Sequence, residues 1–344
     1  MDYRDLNITE GFPLKNITLS EIATITNGEL FGENLRIDFL VRMKSRKNEV
    51  SNHLTYITSE AYLNQFLSSQ HEAAIIPEEL AGPVKSAQTK KSFIISKKDA
   101  ETTFFELHET LNQKKIYSSI ESHIGLNCDI HPSVVIHENV VIKDNVKLHP
   151  NVVIYPNSII DDNVEIKPGT IVGGQGIERK TLFGKTVLVS HTGGVYIGKN
   201  VFIGGNVSID RGEMGDFTQI HEKSVIDNLV YVAHNVVVGP ECFVVASSQI
   251  SGSVIFGRGV WYSPTSCCKP EIKLGDYTYT GTGTVVMKDT KPFSLVYGNP
   301  GRHKGWMCKC QKHQLTFLDG KTVCKCGRAY IIENETVFLT KDLQ

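Results

Sequence analysis

The sequence predicts a mainly β protein in which a parallel β-helix follows an N-terminal α/β domain and precedes a small cysteine-rich module. Three observations predict this fold class. Apolar residues recur at every sixth position through the middle of the chain, strand and helix patterns alternate before them, and four of the eight cysteines lie beyond residue 305. The 344 residues suffice for two or three domains. The patterns place them at residues 1–115, 116–290 and 291–344.

The first domain is predicted from the alternation of short strands and helices. This alternation predicts a small α/β domain of roughly a hundred residues. Strands are expected at Leu54–Ile57, Ala73–Pro77 and Ser92–Ser96, and helices at Leu19–Asn27, Ser59–Leu67 and Lys98–Asn112.

The central domain is predicted from two runs of apolar residues with a period of six. This period fits neither an amphipathic helix nor an alternating strand, but it is typical of a β-helix solenoid. Each hexapeptide supplies a strand and a corner, three of them form a coil, and the sixth residue points to the axis. The first run is Ile130, Ile136, Ile142, Leu148, Ile154, Ile160, Ile166 and Val172, and the second is Ile220, Ile226, Val232, Val238, Val244, Ile250, Phe256, Tyr262, Cys268, Leu274, Thr280 and Val286.

The period is interrupted after Val172 and again at residues 211–217. A loop inserted at a corner leaves the stack of coils intact. The first insertion contains glycines and charged residues, which indicates that it forms a loop covering a binding groove. The alternative is a surface loop without a binding function.

Composition narrows the possible functions. The chain has 36 basic and 37 acidic residues, so charge-driven binding to nucleic acid or to membranes is not expected. We expect no membrane span and a cytoplasmic protein, because no signal-like or long apolar stretch occurs. In that compartment the cysteines would be thiols or metal ligands.

The cysteine-rich module contains two C-x-C pairs, Cys308 with Cys310 and Cys324 with Cys326. Four thiolates can hold one tetrahedral Zn²⁺, and the usual spacing in such sites is C-x-x-C. A structural zinc ion would stabilise a hairpin that has few apolar residues. Free thiols are the alternative.

His234 is the candidate catalytic residue. It follows the inward-facing Val232, so its side chain should emerge beside a corner, where a neutral imidazole can accept a proton from an attacking amine or hydroxyl. A carboxylate on the other ring nitrogen would fix the tautomer, and Asp227 lies seven positions earlier. On pattern alone, a solvated surface histidine is the alternative.

Three consecutive motifs, Ser208–Gly212, Asp227–Val230 and Ala233–Gly239, resemble those of UDP-3-O-acylglucosamine N-acyltransferases. The resemblance extends over roughly residues 16–290. It implies a left-handed β-helix built of hexapeptide repeats and a homotrimer that transfers an acyl chain to a sugar amine. It also implies that His234 is the general base, that Asp227 orients it, and that Tyr56 and Tyr62 flank the nucleotide base. Core packing is the alternative for the two tyrosines.

Two features depart from that family. Lys269 aligns with the position where the family has a second histidine, and the helical tail that receives acyl carrier protein is missing. The segment Tyr297–Arg302 and the cysteine pairs instead resemble the end of hexapeptide acetyltransferases that modify nucleotide-sugar amines. This implies that Gly298 and Asn299 lie along coenzyme A and that Arg302 meets a phosphate. A structural turn is the alternative.

The sequence therefore predicts an N-acyltransferase. It would move an acyl group from a coenzyme A thioester to the amine of a nucleotide-linked amino sugar used in surface polysaccharide biosynthesis. The enzymatic alternative is the lipid A step itself, in which acyl carrier protein donates to UDP-3-O-acylglucosamine. The non-enzymatic or metal-dependent alternatives are a solenoid scaffold and a γ-type carbonic anhydrase-like protein. The identities of the sugar, the nucleotide and the acyl chain stay open.

Overall fold

The computed structural model describes residues 1–42, 52–87 and 89–342. Contacts divide the chain into two units. The N-terminal unit comprises Met1–Ser119, Ile177–Gly193 and Glu213–Asp216, and the β-helix unit comprises Ile120–Gly176, Gly194–Gly212 and Phe217–Gln344. The division at residues 115 and 290 into three separate domains stays a prediction. In the described ranges, no helix is both long and apolar enough to cross a membrane.

The N-terminal unit is an α/β fold, as predicted. Its five-stranded sheet has the order Glu29–Phe31, Ser92–Ser96, Ala73–Pro77, His53–Tyr56 and Phe39–Leu40, and only Glu29–Phe31 runs antiparallel to its neighbour. The central strands are buried on both faces, which explains their uninterrupted apolar sequences. The α-helices are Leu19–Thr26, Glu60–Leu67, Ala81–Ser86 and Ala100–Gln113, and short 3₁₀ turns occur at Tyr3–Asp5 and Glu78–Leu80.

Two further strand pairs belong to this unit. Ile17–Thr18 pairs with Arg36–Ile37, and Arg179–Leu182 forms a hairpin with Lys185–Leu188. The hairpin is the first insertion of the repeat region. Its Leu182 is buried in the apolar cluster that also contains Phe104 and Phe105. The insertion is therefore part of the core of the N-terminal unit, which the sequence did not predict.

The β-helix unit consists of three stacks of short parallel strands, the arrangement typical of a left-handed β-helix. We call these stacks the first, second and third faces. The first face contains His123–Ile124, Val141–Ile142, Ser158–Ile160, Gly194–Ile197, Phe217–Ile220, Val237–Val238, Ile255–Phe256 and Lys273–Leu274. The second contains Asp129–Ile130, Lys147–Leu148, Glu165–Ile166, Phe202–Ile203, Val225–Ile226, Phe243–Val244, Trp261–Tyr262, Tyr279–Thr280 and Ser294–Tyr297. The third contains Val135–Ile136, Val153–Ile154, Ile171–Gly174, Ser208–Asp210, Tyr231–Val232 and Gln249–Ile250, followed by the pair Cys267–Cys268 and Val285–Val286.

The hexapeptide period produces this stack directly. Val232 pairs with Ile250, eighteen positions on, which corresponds to three hexapeptides per coil. Most of the sixth residues form one buried apolar cluster along the axis. Ile130 and Ile136 pack against it while partly buried, and Thr280 is a buried polar position. Corners turn through residues with positive φ, often asparagine, which tolerates the left-handed conformation. Asn139, Asn145, Asn151, Asn157 and Asn163 repeat this conformation with φ between 57° and 63°.

The insertions leave the stack intact, as predicted. Val172 pairs with Ile209 although 36 residues separate them in sequence, and Ile209 pairs in turn with Val232. The groove predicted beneath the first insertion stays a prediction.

The C-terminal module continues the second face. Arg302–Met307 pairs antiparallel with Ser294–Tyr297 and with Gln314–Leu315. A separate antiparallel sheet contains Lys321–Val323, Ala329–Glu333 and Thr336–Lys341. The core of the module is small and includes two cysteines: Phe293, Cys308, Leu315, Cys324, Tyr330 and Val337.

Candidate functional site

His234 lies at the corner that follows the third-face strand Tyr231–Val232. Val232 and Ala233 are buried and the histidine is half-buried, so its side chain leaves the axis at the corner. Its Nδ1 is 3.0 Å from Oδ1 of Asn235. The ring lies over Gly252 of the next coil, where an added Cβ would be 2.6 Å from Nε2. The absence of a side chain at residue 252 therefore provides the space for the imidazole.

Asp210 is a candidate site residue to which the sequence analysis assigned no role, although it lies in the motif Ser208–Gly212. It ends the preceding third-face strand, which pairs with Tyr231–Val232, and its side chain is buried. Its Oδ2 accepts a 2.6 Å hydrogen bond from the Tyr231 hydroxyl. Burial raises the pKa of Asp210, although the hydrogen bond and the charge of His234 act to lower it. A buried carboxylate thus interacts electrostatically with the candidate base.

Asp227 follows a second-face strand, Val225–Ile226, and therefore lies at the corner before that of His234. Its two carboxylate oxygens accept hydrogen bonds from main-chain amides, Oδ1 from Asn228 at 2.7 Å and Oδ2 from Ala246 at 3.2 Å. Asp227 thus joins two coils. The role of Asp227 as orienting partner of His234 stays a prediction. For Asp210, in contrast, burial raises the pKa and the charge of His234 acts to lower it.

Lys269 follows the third-face strand Cys267–Cys268 and is exposed. It lies at the same corner as His234, two coils further along. With a coil spacing of about 4.8 Å, the two positions are roughly 10 Å apart. We call the column formed by Asp210, His234, Gly252 and Lys269 the His234 corner. Its members share one edge of the prism, so a single extended ligand could contact several of them.

Arg211 extends this edge toward the earlier coils. Its Nε donates a 2.7 Å hydrogen bond to the carbonyl oxygen of Gly173, and its guanidinium carbon is 5.7 Å from the centroid of the Tyr155 ring. Tyr155 stacks on His137 at 4.7 Å between centroids. Burial lowers the pKa of Arg211, since the guanidinium is largely removed from water.

The two predicted nucleotide-site tyrosines differ in environment. Tyr56 ends the strand His53–Tyr56 and packs against Phe104, 4.8 Å away between centroids. Burial, together with the negative charge of Glu101, raises the pKa of Tyr56 to about 12. Tyr62 lies in the helix Glu60–Leu67 and is 37% exposed. Tyr56 makes the core contacts that the alternative describes, and nucleotide binding by either residue stays a prediction.

A buried ionic cluster lies next to Tyr56 in the N-terminal unit. Nη2 of Arg42 is 2.6 Å from Glu178 and 3.0 Å from Glu213, and Nε2 of His191 is 3.7 Å from Oε1 of Glu213. The ligand atoms of Glu178, His191 and Glu213 lie close enough for one metal ion. Arg42 and Lys180, whose Nζ is 3.5 Å from Oε1 of Glu178, supply two positive charges against the two carboxylates, so the cluster is balanced without a metal.

The predicted coenzyme A residues lie at the end of the β-helix. Gly298 has φ +98°, a conformation that favours glycine, and Asn299 is exposed. Arg302 lines a cavity of about 610 Å³ together with Lys288, Lys291 and His303. Asp289 and Glu335 also line this cavity, and Lys291 is ion-paired with Glu335, so Lys288 and Arg302 are the cations that remain for phosphate groups. Ligand binding by Gly298, Asn299 and Arg302 stays a prediction.

The four C-terminal cysteines come together as predicted. Their sulfur atoms all lie within 4.8 Å of one another. Sγ of Cys308 is 3.5 Å from that of Cys326, and Sγ of Cys310 is 3.9 Å from that of Cys324. A tetrahedral zinc ion with bonds of about 2.3 Å places its sulfurs about 3.8 Å apart. The donor set and its spacing therefore fit Zn²⁺.

His313 is a nearby group that the sequence pattern did not single out. Its Nδ1 is 3.5 Å from the sulfurs of both Cys310 and Cys324. His313 lies between the two cysteine pairs in sequence and is not part of either C-x-C motif. It could donate to a thiolate, but four sulfurs already complete a tetrahedral site.

Comparisons with known proteins agree with this architecture. Residues 139–174 match the family described as bacterial transferase hexapeptide (six repeats). A UDP-3-O-acylglucosamine N-acyltransferase from Acinetobacter baumannii (strain AYE) is 34% identical over 266 residues, covering 68% of this chain and 71% of the relative. The enzyme of the same name from Campylobacter lari is 33% identical over 320 residues, covering 87% and 95%. A dTDP-3-amino-3,6-dideoxy-α-D-galactopyranose 3-N-acetyltransferase from Aneurinibacillus thermoaerophilus is 37% identical over 79 residues, covering 23% and 41%.

Proposed function

We propose that this chain, which belongs to the UDP-3-O-acylglucosamine N-acyltransferase family of hexapeptide-repeat acyltransferases, transfers an acyl group from a thioester to the amine of a nucleotide-linked amino sugar. The observation that carries the proposal is the extent of the similarity, which covers 95% of the Campylobacter lari relative. It includes the segment that contains the His234 corner. Family membership supports an acyltransferase over a non-catalytic scaffold.

His234 is the proposed general base. Its imidazole accepts a proton from the sugar amine as the nitrogen attacks the thioester carbonyl carbon. A main-chain N–H of a neighbouring coil would stabilise the tetrahedral oxyanion. Collapse of this intermediate forms the amide bond, breaks the carbon–sulfur bond and returns the proton to the leaving thiolate. The buried carboxylate of Asp210 stabilises the imidazolium formed during the reaction.

The first candidate reaction is acyl transfer from acyl carrier protein to UDP-3-O-acylglucosamine. It is favoured by the names and the coverage of the two relatives that span most of the chain. In this reaction Tyr56 and Tyr62 would flank the uracil ring, and Lys269 would contact the substrate.

The second candidate uses coenzyme A and a nucleotide-linked amino deoxysugar. A specific observation favours it: the cavity near the end of the β-helix contains Lys288 and Arg302, which suit the phosphates of coenzyme A, beside the ion pair of Lys291 with Glu335. The partial similarity to a dTDP-sugar 3-N-acetyltransferase supports the same reaction. Gly298 and Asn299 would then lie along the donor.

A matrix of donors and acceptors tests both reactions. The purified chain is incubated with acyl carrier protein thioesters or coenzyme A thioesters, each with UDP-3-O-acylglucosamine or with a dTDP-linked aminodeoxysugar. Amide product is expected from at least one pair. We expect His234→Ala to lower kcat by about 100-fold or more, the lower bound for general-base catalysis. Absence of product from every pair, or near-normal turnover by the folded variant, would overturn the proposal.

The assembled form that we propose is a cytoplasmic homotrimer with one structural Zn²⁺ per chain at the four cysteines. Apolar side chains on the third face support an assembly, since Val135 is 50% exposed and Ile171 is 39% exposed. Packing of prisms side by side would create clefts that border the His234 corner.

A further inference from the structure

The cavity next to Arg302 has walls from two parts of the chain. One wall is the end of the β-helix, residues 286–291, and the other includes Trp306, Ile332 and Glu335 of the C-terminal module. The position of the second wall depends on how the module folds. The shape of the cavity therefore depends on the folding of the C-terminal module.

The module has a core too small to fix that wall by apolar packing alone. Two of its six buried core residues, Cys308 and Cys324, are cysteines that belong to the four-sulfur cluster. Small domains of this kind commonly depend on a metal or on disulfides for stability. A metal ion at the sulfurs would join the two C-x-C hairpin segments into one rigid unit.

A continuous series of contacts links the sulfurs to the end of the β-helix. Sγ of Cys308 is 3.1 Å from the hydroxyl of Tyr330, whose ring lies 5.4 Å from that of Phe293. Phe293 in turn stacks on Tyr277 at 5.1 Å between centroids. Displacement of Cys308 would therefore disturb aromatic residues that join the module to the β-helix.

The wall itself has direct connections to the same elements. Trp306 lies in the strand that pairs with Ser294 on one side and with Leu315 on the other. Nζ of Lys291 is 3.2 Å from Oε2 of Glu335, which links the two walls. Leu315 belongs to the apolar core that contains Cys308. The cysteine cluster and the cavity thus share their supporting residues.

We propose that a Zn²⁺ bound by Cys308, Cys310, Cys324 and Cys326 holds this wall in place, so that the metal-loaded enzyme binds the acyl donor more tightly than the metal-free enzyme. The identity of the cavity as the donor site rests on the proposed function. Metal loss would act on donor binding and leave Asp210, His234 and Gly252 in place, because no residue before 260 belongs to the module core.

The test compares the wild-type chain with the double variant Cys310→Ser and Cys326→Ser, which removes one sulfur from each pair. Cys128→Ser is the matched control, because it removes a thiol whose Sγ contacts the carbonyl oxygen of Lys143 in an early coil. Metal content, amide hydrogen exchange and steady-state kinetics are measured on all three proteins.

We expect about one Zn²⁺ per chain in the wild type and control, and roughly tenfold less in the double variant. Amides at residues 286–291 and 302–307 should exchange about tenfold faster in the double variant, while those at residues 225–250 keep their rates. The KM for the donor should rise about tenfold with little change in the KM for the acceptor.

Wild-type protein without zinc, or metal loss with unchanged exchange at both walls, would overturn the coupling. Faster exchange with an unchanged donor KM would overturn the assignment of the donor to this cavity. If no donor gives product, the proposed function and the donor assignment fail together. Metal content and exchange still decide whether zinc supports the wall.

Discussion

The carboxylate that assists His234 can be identified by comparing two substitutions of equal size. Asp210→Asn removes the buried charge that interacts with His234, so we expect kcat to fall about tenfold or more with modest change in KM. Asp227→Asn weakens one of two hydrogen bonds to main-chain amides, so we expect a lower thermal midpoint and a smaller loss of kcat. The measurements are kcat, KM and thermal unfolding of both variants. A larger kcat loss in Asp227→Asn would restore Asp227 as the partner.

The position of His234 at a corner could be predicted from sequence, because the six-residue repeat fixes the position of each residue near it. Its position two residues after the inward Val232 predicts a corner side chain. Asp210 could not be found in this way. Residues 213–216 join the N-terminal unit and lengthen the coil, so Ile209 pairs with Val232 at an offset of 23 instead of eighteen. Counting in sixes therefore fails at the coil that brings Asp210 to the His234 corner.

In the next coil of the β-helix, Gly252 leaves space for the imidazole of His234 because it has no side chain. In Gly252→Ala, the new methyl group would lie 2.6 Å from Nε2 of His234, which is shorter than any normal contact. The ring can rotate away at small cost in stability because it is the end of a half-exposed side chain. We expect kcat to fall about tenfold or more while the thermal midpoint changes by only a few degrees.

The matched control for this substitution is Gly205→Ala at another corner of the β-helix. Gly205 follows the second-face strand Phe202–Ile203, whereas the His234 corner follows third-face strands. An added Cβ at residue 205 would be 3.2 Å from the carbonyl oxygen of Pro168, so the change crowds a corner without reaching the imidazole. This variant should keep kcat nearly intact. Equal loss of kcat in both variants would indicate a general effect on coil stacking.

The buried pair of His53, in the strand His53–Tyr56, and His71 should make the stability of the N-terminal unit depend on pH. The ring of His53 contacts that of His71, and both side chains are buried. Burial, followed by the charges of His53 and Lys91, lowers the pKa of His71 from 6.5 to about 4. Between these pH values the unfolded chain binds the proton and the folded chain does not. Stability is therefore complete above about pH 6.5 and decreases as the pH falls toward 4.

Chemical unfolding of the whole chain at several pH values between 4 and 7.5 measures this effect. One proton corresponds to at most about 1.4 kcal/mol of unfolding free energy per pH unit. His71→Phe should flatten the pH dependence even if it lowers stability overall. An unchanged slope in that variant would assign the acid sensitivity to other groups.

For the whole molecule, the six-residue repeat predicts the β-helix, but it does not predict that the insertion 177–193 belongs to the N-terminal unit. Apart from Thr280, the axial cluster follows the six-residue period through the second run up to Val286, because each inward position is fixed by its neighbours above and below. The insertion 177–193 has no such period. Its Leu182 and Val189 pack with Phe104 and Phe105 through contacts between distant segments. Contacts between segments so far apart in sequence cannot be predicted from the repeat pattern.

Assembly of the whole molecule gives the last prediction. On the third face, Val135, Ile171 and Tyr231 point outward and are at least 38% exposed, and such apolar surface commonly marks an interface. Val135→Lys with Ile171→Lys would place two charges in that interface, where burying them without partners costs several kcal/mol. We expect the trimer to dissociate and kcat to fall, with the β-helix still folded.

Light scattering combined with size exclusion gives the mass, and circular dichroism reports the fold. Val225→Lys on the second face is the control, because Val225 is an outward-facing valine at a half-buried position. A trimer that survives both lysines on the third face, or one that dissociates only with Val225→Lys, would place the interface elsewhere. In that case the proposed clefts would border a different corner, and the assignment of His234 to an intersubunit site would fail with them.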